Sequence, residues 1–348
     1  MGDMTRHKMS LVPLCAAALC AALLYGILPA HAQWLSREDA IMGTAIHVEL
    51  WTDDPMAGEA AIDAVMDEMR RIDREMSPFK PESELSRINR EAADHPVPIS
   101  VEMFDILSRS IEFSKLSGGA FDVTFSSVGY MYDYRRHIKP TDAEIAKALP
   151  GINYRHMLLD AEHRTVKFAR PGMRVDLGGI GKGYAVDNCI AILKKRGIKH
   201  ALVTAGGDSR VLGDRDGHPW MVGIRDPRSK DNVVALIPLI NSAISTSGDY
   251  ERYFEVNGVR YHHIINPKTG KSATGVHSAT VIGPDATTTD GLTKPVFILG
   301  PEKGLKLIES IPGVDAVVID AEGRMFYSSG LVNEKREVTA PTESTSSR

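Results

Sequence analysis

Apolar residues recur at helical spacing between positions 55 and 76, at Met56, Ile62, Val65, Met66, Met69, Ile72 and Met76. That spacing predicts an amphipathic helix, with the methionines assigned to the core and not to a cofactor site. A second helical pattern, "VEMFDILSRSIEFSKLSGG" (101–119), is closed by glycines. "TAIHVELW" (44–51) alternates as a strand. Strand-like runs follow at 155–168, 200–205, 209–213, 220–224, 233–240, 253–265 and 278–283, interrupted by helical stretches at 180–197 and 286–309. "DAVVID" and "RMFYSS" predict a hairpin around "AEGR". Strands outnumber helices, and they neither alternate with them regularly nor form an all-β series. The fold class expected is therefore α+β, with mixed or antiparallel sheets and helices packed to one side. Residues 34–331 contain no internal repeat and no low-complexity linker, whereas 332–348 are polar and Ser/Thr-rich, a composition expected of a disordered tail.

The first 32 residues change the picture of where the chain works. Arg6, His7 and Lys8 precede an apolar run, "LVPLCAAALCAALLYGIL", and "PAHAQ" supplies an A-x-A site after Ala32. This predicts a secretory signal cleaved after Ala32 and a periplasmic protein, an uncleaved anchor being the alternative. The net charge is −4, and losing the signal removes two basic residues and one acidic residue, leaving −5. No strongly basic patch stands out, which argues against nucleic acid as a partner. Of three cysteines only Cys189 lies beyond the signal, so an intrachain disulfide is excluded there, and its apolar helical context assigns it to packing. About 300 residues can bury a full core without one.

Candidate chemistry concentrates in four places. "VDLGGIGKGYAVD" (175–187) runs from a strand-like Val-Asp through four glycines into a helix. It is no Walker loop, because Gly183 follows Lys182, and no G-x-G-x-x-G, because Tyr184 stands at the last glycine. Glycines still permit close backbone approach, a helix start near Gly181 favours an anion, and Lys182 adds positive charge. Asp176 would repel a phosphate and is better suited to accept from a ligand N–H or hydroxyl. His263 follows a strand and precedes the "NPKTG" turn, a position for a base or a phosphate donor. Its neighbour His262 should point the other way. Asp290 opens the 286–309 helix, either as a first-turn acid or as a hard-cation ligand. "SGGAFDVTFSS" (117–127) is a helix-to-strand corner whose backbone could lie along a flat ligand.

In order along the chain come "MGT" (42–44), "SELSRIN" (83–89), "SGGAFDVT" (117–124), "VDLGGIGKGYAVD", "TAGGD" (204–208), "STSGDYERYF", "HIINPKTG" and the "TTTDGL" helix. Together they resemble the ApbE family of FAD:protein FMN transferases over roughly residues 40–328. The resemblance implies a T-fold-related architecture spanning 33–331 with FAD bound between two subdomains. It implies Mg2+-dependent cleavage of the FAD pyrophosphate and transfer of FMN to a threonine hydroxyl of a partner protein, with release of AMP. The partners it implies are acceptor flavoproteins of membrane-associated redox systems: subunits of sodium-pumping NADH:quinone oxidoreductase or Rnf-type complexes, the regulatory flavoprotein of nitrous oxide reduction, or other FMN-binding domains. They share a motif like Asp-x-x-Thr-Gly-Ala-Thr. Carried over by position, Met42, Ala120, Phe121, Asp122, Asp176, Lys182 and Ile264 would contact FAD. His263 would assist phosphoryl transfer as base or donor, and Gly179 (through its carbonyl) and Asp290 would hold Mg2+.

Two departures stand out. The family's "MSTY" is "MSPF" here, so Phe79 replaces a tyrosine expected to pack on the nucleotide, keeping the aromatic face and losing the hydroxyl. The family's "DALST" threonine, a metal ligand, is Lys294 here, and an ammonium cannot coordinate a metal. Thr293, Thr289 or water would take over, or Lys294 would itself stand in for part of the cation's charge. Mg2+ is expected to remain necessary with altered affinity. The same scaffold could also serve an FAD pyrophosphatase, with water as the nucleophile, or an FAD-binding protein without turnover.

Overall fold

The computed structural model describes residues 32–229 and 232–332. The expected signal and tail lie outside the described residues, apart from Ala32 and Val332. Among the described residues no helix is long and apolar enough to cross a membrane.

The centre of the molecule is an eight-stranded sheet in which every neighbouring pair is antiparallel. Its strands follow one another in chain order: β1 (Gln33–Ile41), β2 (Thr44–Thr52), β3 (Ala201–Ala205), β4 (Asp208–Leu212), β5 (Ala243–Gly248), β6 (Val276–Gly283), β7 (Asp315–Asp320) and β8 (Met325–Tyr327). The expectation of α+β with antiparallel pairing is met, with helices gathered on one face.

Alternation along the strands builds a core on each face. Leu212, Ala243, Ala316 and Val318 point into the large helix-side core. Their chain neighbours Val211, Ile244 and Val317 point the other way, under a hairpin (Trp220–Arg225 with Val233–Leu239) that contributes Trp220, Ile224 and Leu239. On the helix side lie α1 (Pro55–Met76), α2 (Glu84–Glu91), α3 (Val101–Leu116), α4 (Gly181–Lys195) and α5 (Ala286–Glu309). α1 begins at Asp54, whose carboxylate accepts the Met56 and Ala57 N–H groups at 3.0 and 3.2 Å, with Pro55 in the first turn. It buries Ile62, Val65, Met66, Met69, Ile72 and Met76, so the methionines are core as expected. α1 packs on α4, α4 on α5, and α5 on β5 and β6. Cys189 is wholly buried in α4, where desolvation pushes its thiol pKa up, consistent with packing.

α5 is two helices joined at Gly300, whose φ of 77° breaks the helical path before Pro301 restarts it. The strand-like run 155–168 resolves into two paired strands, Met157–Asp160 and Thr165–Phe168, joined by a turn with Arg164 at φ 48°. β1 had no counterpart among the sequence expectations.

Candidate active site

The glycine-rich segment 175–187 is fixed at three points before it enters α4. Asn89 grips Val175 by two hydrogen bonds, donating to its carbonyl at 2.9 Å and accepting its N–H at 2.7 Å. The Asp176 N–H donates to the Val123 carbonyl at 3.0 Å, which ties the loop to the 117–124 corner. Asp176 Oδ1 then accepts the Gly178 N–H at 2.6 Å. Burial pushes the Asp176 pKa up, against nearby Arg252 and Arg174.

α4 and α5 cap one another. In α4, Asp187 accepts the Ala286 N–H (2.8 Å), the Thr287 N–H (2.8 Å) and the Thr287 hydroxyl, satisfying the exposed donors at the start of α5. In return, Asp290 of α5 accepts the Gly183 N–H at 3.0 Å at the start of α4. Each carboxylate lies at the positive end of the other helix, where its charge is favoured. The approach is so close that a Cβ on residue 183 would lie 2.1 Å from the Ala286 carbonyl oxygen and 2.7 Å from Asp290 Cβ. Gly183→Ala must therefore force the two helices apart. It is expected to lower stability by about 1–3 kcal/mol, seen as a fall in the urea midpoint; an unchanged midpoint would show that the interhelical gap yields freely.

Around this junction gathers a knot of charge. Lys182 Nζ pairs directly with Asp208, at the first position of β4, and lies 3.8 Å from Asp290. Lys294, one turn beyond Asp290, pairs with its Oδ1 and donates to its carbonyl at 3.2 Å. Asp290 is fully buried and Asp208 almost so. Burial alone would push the Asp290 pKa up, but the Lys182 and Lys294 ammonium groups outweigh it and hold the carboxyl below its ordinary value. Burial and the Asp290 charge push Asp208 the other way, upward, against Lys182. Burial would lower the Lys182 pKa, yet the two carboxylates raise it, so this side chain stays charged. Phe121 approaches the same place: its Cε2 would lie 3.2 Å from a Cβ on Gly179, and Lys294 Cε 3.8 Å from it.

The other wall comes from 249–275. His262, the last residue of strand Val259–His262, is buried and pairs with the Ala273 carbonyl at 2.8 Å through Nε2. The Ile264 N–H donates to its Nδ1 at 3.3 Å, and its ring meets Phe297 edge-on. His262 is thus structural. His263, just past the strand, has a buried Nδ1 with no hydrogen-bond partner. Burial pushes its pKa down to about 3, helped by the positive charges of Arg252, Lys294 and Lys182 and by His262. The imidazole is neutral at any ordinary pH, beside a group of cations, with one ring nitrogen uncommitted. The His263 N–H donates to the Arg252 carbonyl at 3.1 Å, and Arg252 reaches the Gly43 carbonyl at 3.4 Å, linking this wall to the β1–β2 turn. The site can therefore hold a polyanion on Lys182, Lys294, Arg252 and the α4 N-terminus, and can take up a proton at His263.

The ApbE family model matches residues 42–318. The chain belongs to the ApbE family. It is 33% identical over 324 residues to the FAD:protein FMN transferase of Treponema pallidum, covering 88% of this chain and 90% of that one. To the enzyme of the same name from Vibrio cholerae it is 32% identical, covering 90% and 96%. Among solved structures, the ApbE protein of Thermotoga maritima superposes with a TM-score of 0.80 at 33% identity, over 86% of this chain and 99% of that one. The flavin transferase ApbE from Vibrio cholerae gives 0.78 at 28% identity, over 87% and 99%.

Of the residues expected from the ApbE pattern, Gly179, Lys182, Asp290 and Lys294 share the charge knot, Phe121 and His263 border it, and Asp176 lies in the loop leading to it, near Arg252. Met42 occupies the β1–β2 turn at φ 56°, half-buried against the main core. Ala120, Phe121 and Ile264 have buried side chains. The Asp122 carboxylate is spent inside the corner, accepting from the Thr124 N–H and hydroxyl and from the Tyr154 N–H. Only the backbone of 120–122 is left for a ligand. Phe79 is 85% exposed on the turn between α1 and α2, its ring in solvent. Thr289 and Thr293, considered as substitute metal ligands, face β5 instead, bonded to Ser245 and Ser247 at 2.8 Å each. Four residues of the site had no individual role in the sequence reasoning: Asp208, Arg252, Asp187 and Asn89. All four lie in quoted motifs, "TAGGD", "STSGDYERYF", "VDLGGIGKGYAVD" and "SELSRIN", so a residue-by-residue reading of the polar positions in those motifs would have found them.

Proposed function

We propose that the chain is an FAD:protein FMN transferase, moving FMN from FAD to a threonine hydroxyl of an acceptor flavoprotein and releasing AMP. The observation that carries this is the neutral His263, partly exposed beside the same cations that would hold a pyrophosphate. FAD lies along the glycine loop, between the β1–β2 turn and the 120–122 corner, near Met42, Asp176, Lys182 and Ile264. Lys182, Lys294, Arg252 and the α4 N-terminus bind the two phosphates and meet the charge that grows on their oxygens as the bond breaks. Asp176 accepts from an N–H or hydroxyl of the nucleotide. His263 takes the proton of the threonine hydroxyl as its oxygen bonds to the flavin-side phosphorus. The bond from that phosphorus to the bridging oxygen breaks, and AMP leaves with the oxygen and the electron pair. Alignment of hydroxyl and phosphorus within one site supplies the rest of the acceleration.

No step is assigned to Mg2+, because the donors expected for it are not all present: position 294 is an ammonium already paired with Asp290. We further propose that the chain acts in the periplasm, on the strength of its N-terminal pattern, and that the acceptor carries the Asp-x-x-Thr-Gly-Ala-Thr type of motif.

The experiment is incubation of the purified chain with FAD and an FMN-binding domain bearing that motif. The expected result is a mass gain of one FMN on the acceptor, lost on changing its threonine to alanine, with one AMP per label. Free FMN and AMP without label would mean that water is the nucleophile. FAD that binds and stays intact would mean a carrier.

A further inference from the structure

The groups expected to hold Mg2+ are the Gly179 carbonyl, the Asp290 carboxylate and a hydroxyl one turn further along α5. The third is missing, and its replacement has a definite place. Lys294 Nζ engages Asp290 Oδ1 and the Asp290 carbonyl, while its stem passes beside Gly179. The ammonium thus takes up the Asp290 carboxylate oxygen that a metal would need, with its stem close to Gly179. Asp290 Oδ2 is also committed, to the Gly183 N–H at 3.0 Å, with Lys182 Nζ 3.8 Å away.

Mg2+ requires oxygen donors at about 2.0–2.1 Å in near-octahedral array. A doubly charged ion would have to evict Lys294 from Oδ1 and then sit beside two ammonium groups. Lys294 is only 17% exposed, so its charge has little water to retreat into. The nearby hydroxyls of Thr289 and Thr293 are turned to β5. The donor set does not fit Mg2+.

We propose that Lys294 takes the part of the divalent cation: together with Lys182 it meets the charge of the FAD pyrophosphate, and the chain binds and cleaves FAD without a metal ion. The cleavage half of this rests on the transferase assignment above. The bonds made and broken are those already given, and the two ammonium groups supply charge without exchanging any bond. As a point charge with three donors, Lys294 can bridge Asp290 and a phosphate oxygen together.

The test is carried out on the full chain freed of metal by chelator. Mn2+ is titrated in, with and without FAD, and the free ion is followed by electron paramagnetic resonance. FAD binding is followed by flavin fluorescence, and FMN transfer is timed in EDTA and in Mg2+. The expected results are no stoichiometric Mn2+ site, FAD binding unaffected by EDTA, and equal transfer rates in both media. Lys294→Thr should gain one Mn2+ site and become sensitive to EDTA by about 10²-fold or more. One tightly held Mn2+ in the unaltered chain, or FAD binding or transfer restored only by Mg2+, would overturn the proposal. If no acceptor is labelled in any medium, the transferase assignment fails, while the Mn2+ and FAD titrations still decide the role of Lys294. The titration of the unaltered chain stands alone if the Lys294→Thr chain does not fold.

Discussion

Replacing His263 with alanine is expected to lower FMN transfer by about 10²–10⁴-fold, the usual worth of a positioned general base. FAD affinity should change little, because the proposed mechanism gives the pyrophosphate to Lys182, Lys294, Arg252 and the start of α4. The pH profile separates proton transfer from a merely structural role. In the free chain the His263 pKa is depressed to about 3, first by burial and then by the surrounding cations. Since kcat/KM reports the free enzyme, it should show no acid limb from this residue near 6.5. Once the pyrophosphate dianion offsets Arg252, Lys182 and Lys294, protonation becomes easier and the limb in kcat should move up. Loss of less than tenfold in His263→Ala would assign the histidine a different task, whereas a kcat/KM limb near 6.5 that vanishes in this variant would keep it as the base and overturn its depressed pKa.

The same depressed pKa makes a statement about stability. Between the ordinary value of 6.5 and about 3, the unfolded chain binds a proton at His263 that the folded chain does not. The stability this residue contributes is therefore complete above 6.5 and declines as the pH falls through that window, at up to about 1.4 kcal/mol per pH unit. His263→Ala should remove that part of the acid destabilisation.

The sequence disclosed the parts of the fold that repeat locally. The methionine-bearing face of α1 and the spans of α4 and α5 follow from apolar periodicity, which survives because each helix buries one stripe. β1 stayed hidden because it is an edge strand in which Ser36, Arg37, Glu38 and Asp39 break the apolar alternation. It is held by pairing with β2 along all nine residues, a property of the partner and not of its own sequence. The 155–168 run looked continuous because its turn has no glycine; Arg164 adopts the left-handed conformation itself. The site divides in the same way. His263 and Asp290 were legible from a strand exit and a helix start, and the resemblance placed them together. Asp187 and Asn89 act on partners about 100 and 86 positions away. Both end motifs quoted above, "VDLGGIGKGYAVD" and "SELSRIN", but no local pattern tells which distant partner a carboxylate or amide serves. Lys294 was legible as an oddity, but its pairing with Asp290 beside Gly179 needed coordinates.

Asp290→Ala is expected to cost about 3–5 kcal/mol of stability, among the largest losses available outside the apolar core. The carboxylate is fully buried and serves two donors, the Gly183 N–H and Lys294, with the Lys182 ammonium a further charge 3.8 Å away. Removing it strands the Lys294 ammonium with little solvent, weakens the cap on α4 and leaves Lys182 dependent on Asp208 alone. Asp290→Asn should be milder, since an amide oxygen can still accept from Gly183 while the amide nitrogen cannot receive Lys294. Much of the cost belongs to the stranded charge, so adding Lys294→Met to Asp290→Ala should recover part of the loss, a coupling of about 1–3 kcal/mol in a double-mutant cycle. Urea unfolding of the four chains measures it. Additive losses would mean that Lys294 and Asp290 are neighbours without being partners, and the account of the charge knot would have to be rebuilt around Lys182 and Asp208. A positive coupling would show that the buried pair is held together by its charges, with Lys294 as the cation that Asp290 is built to keep.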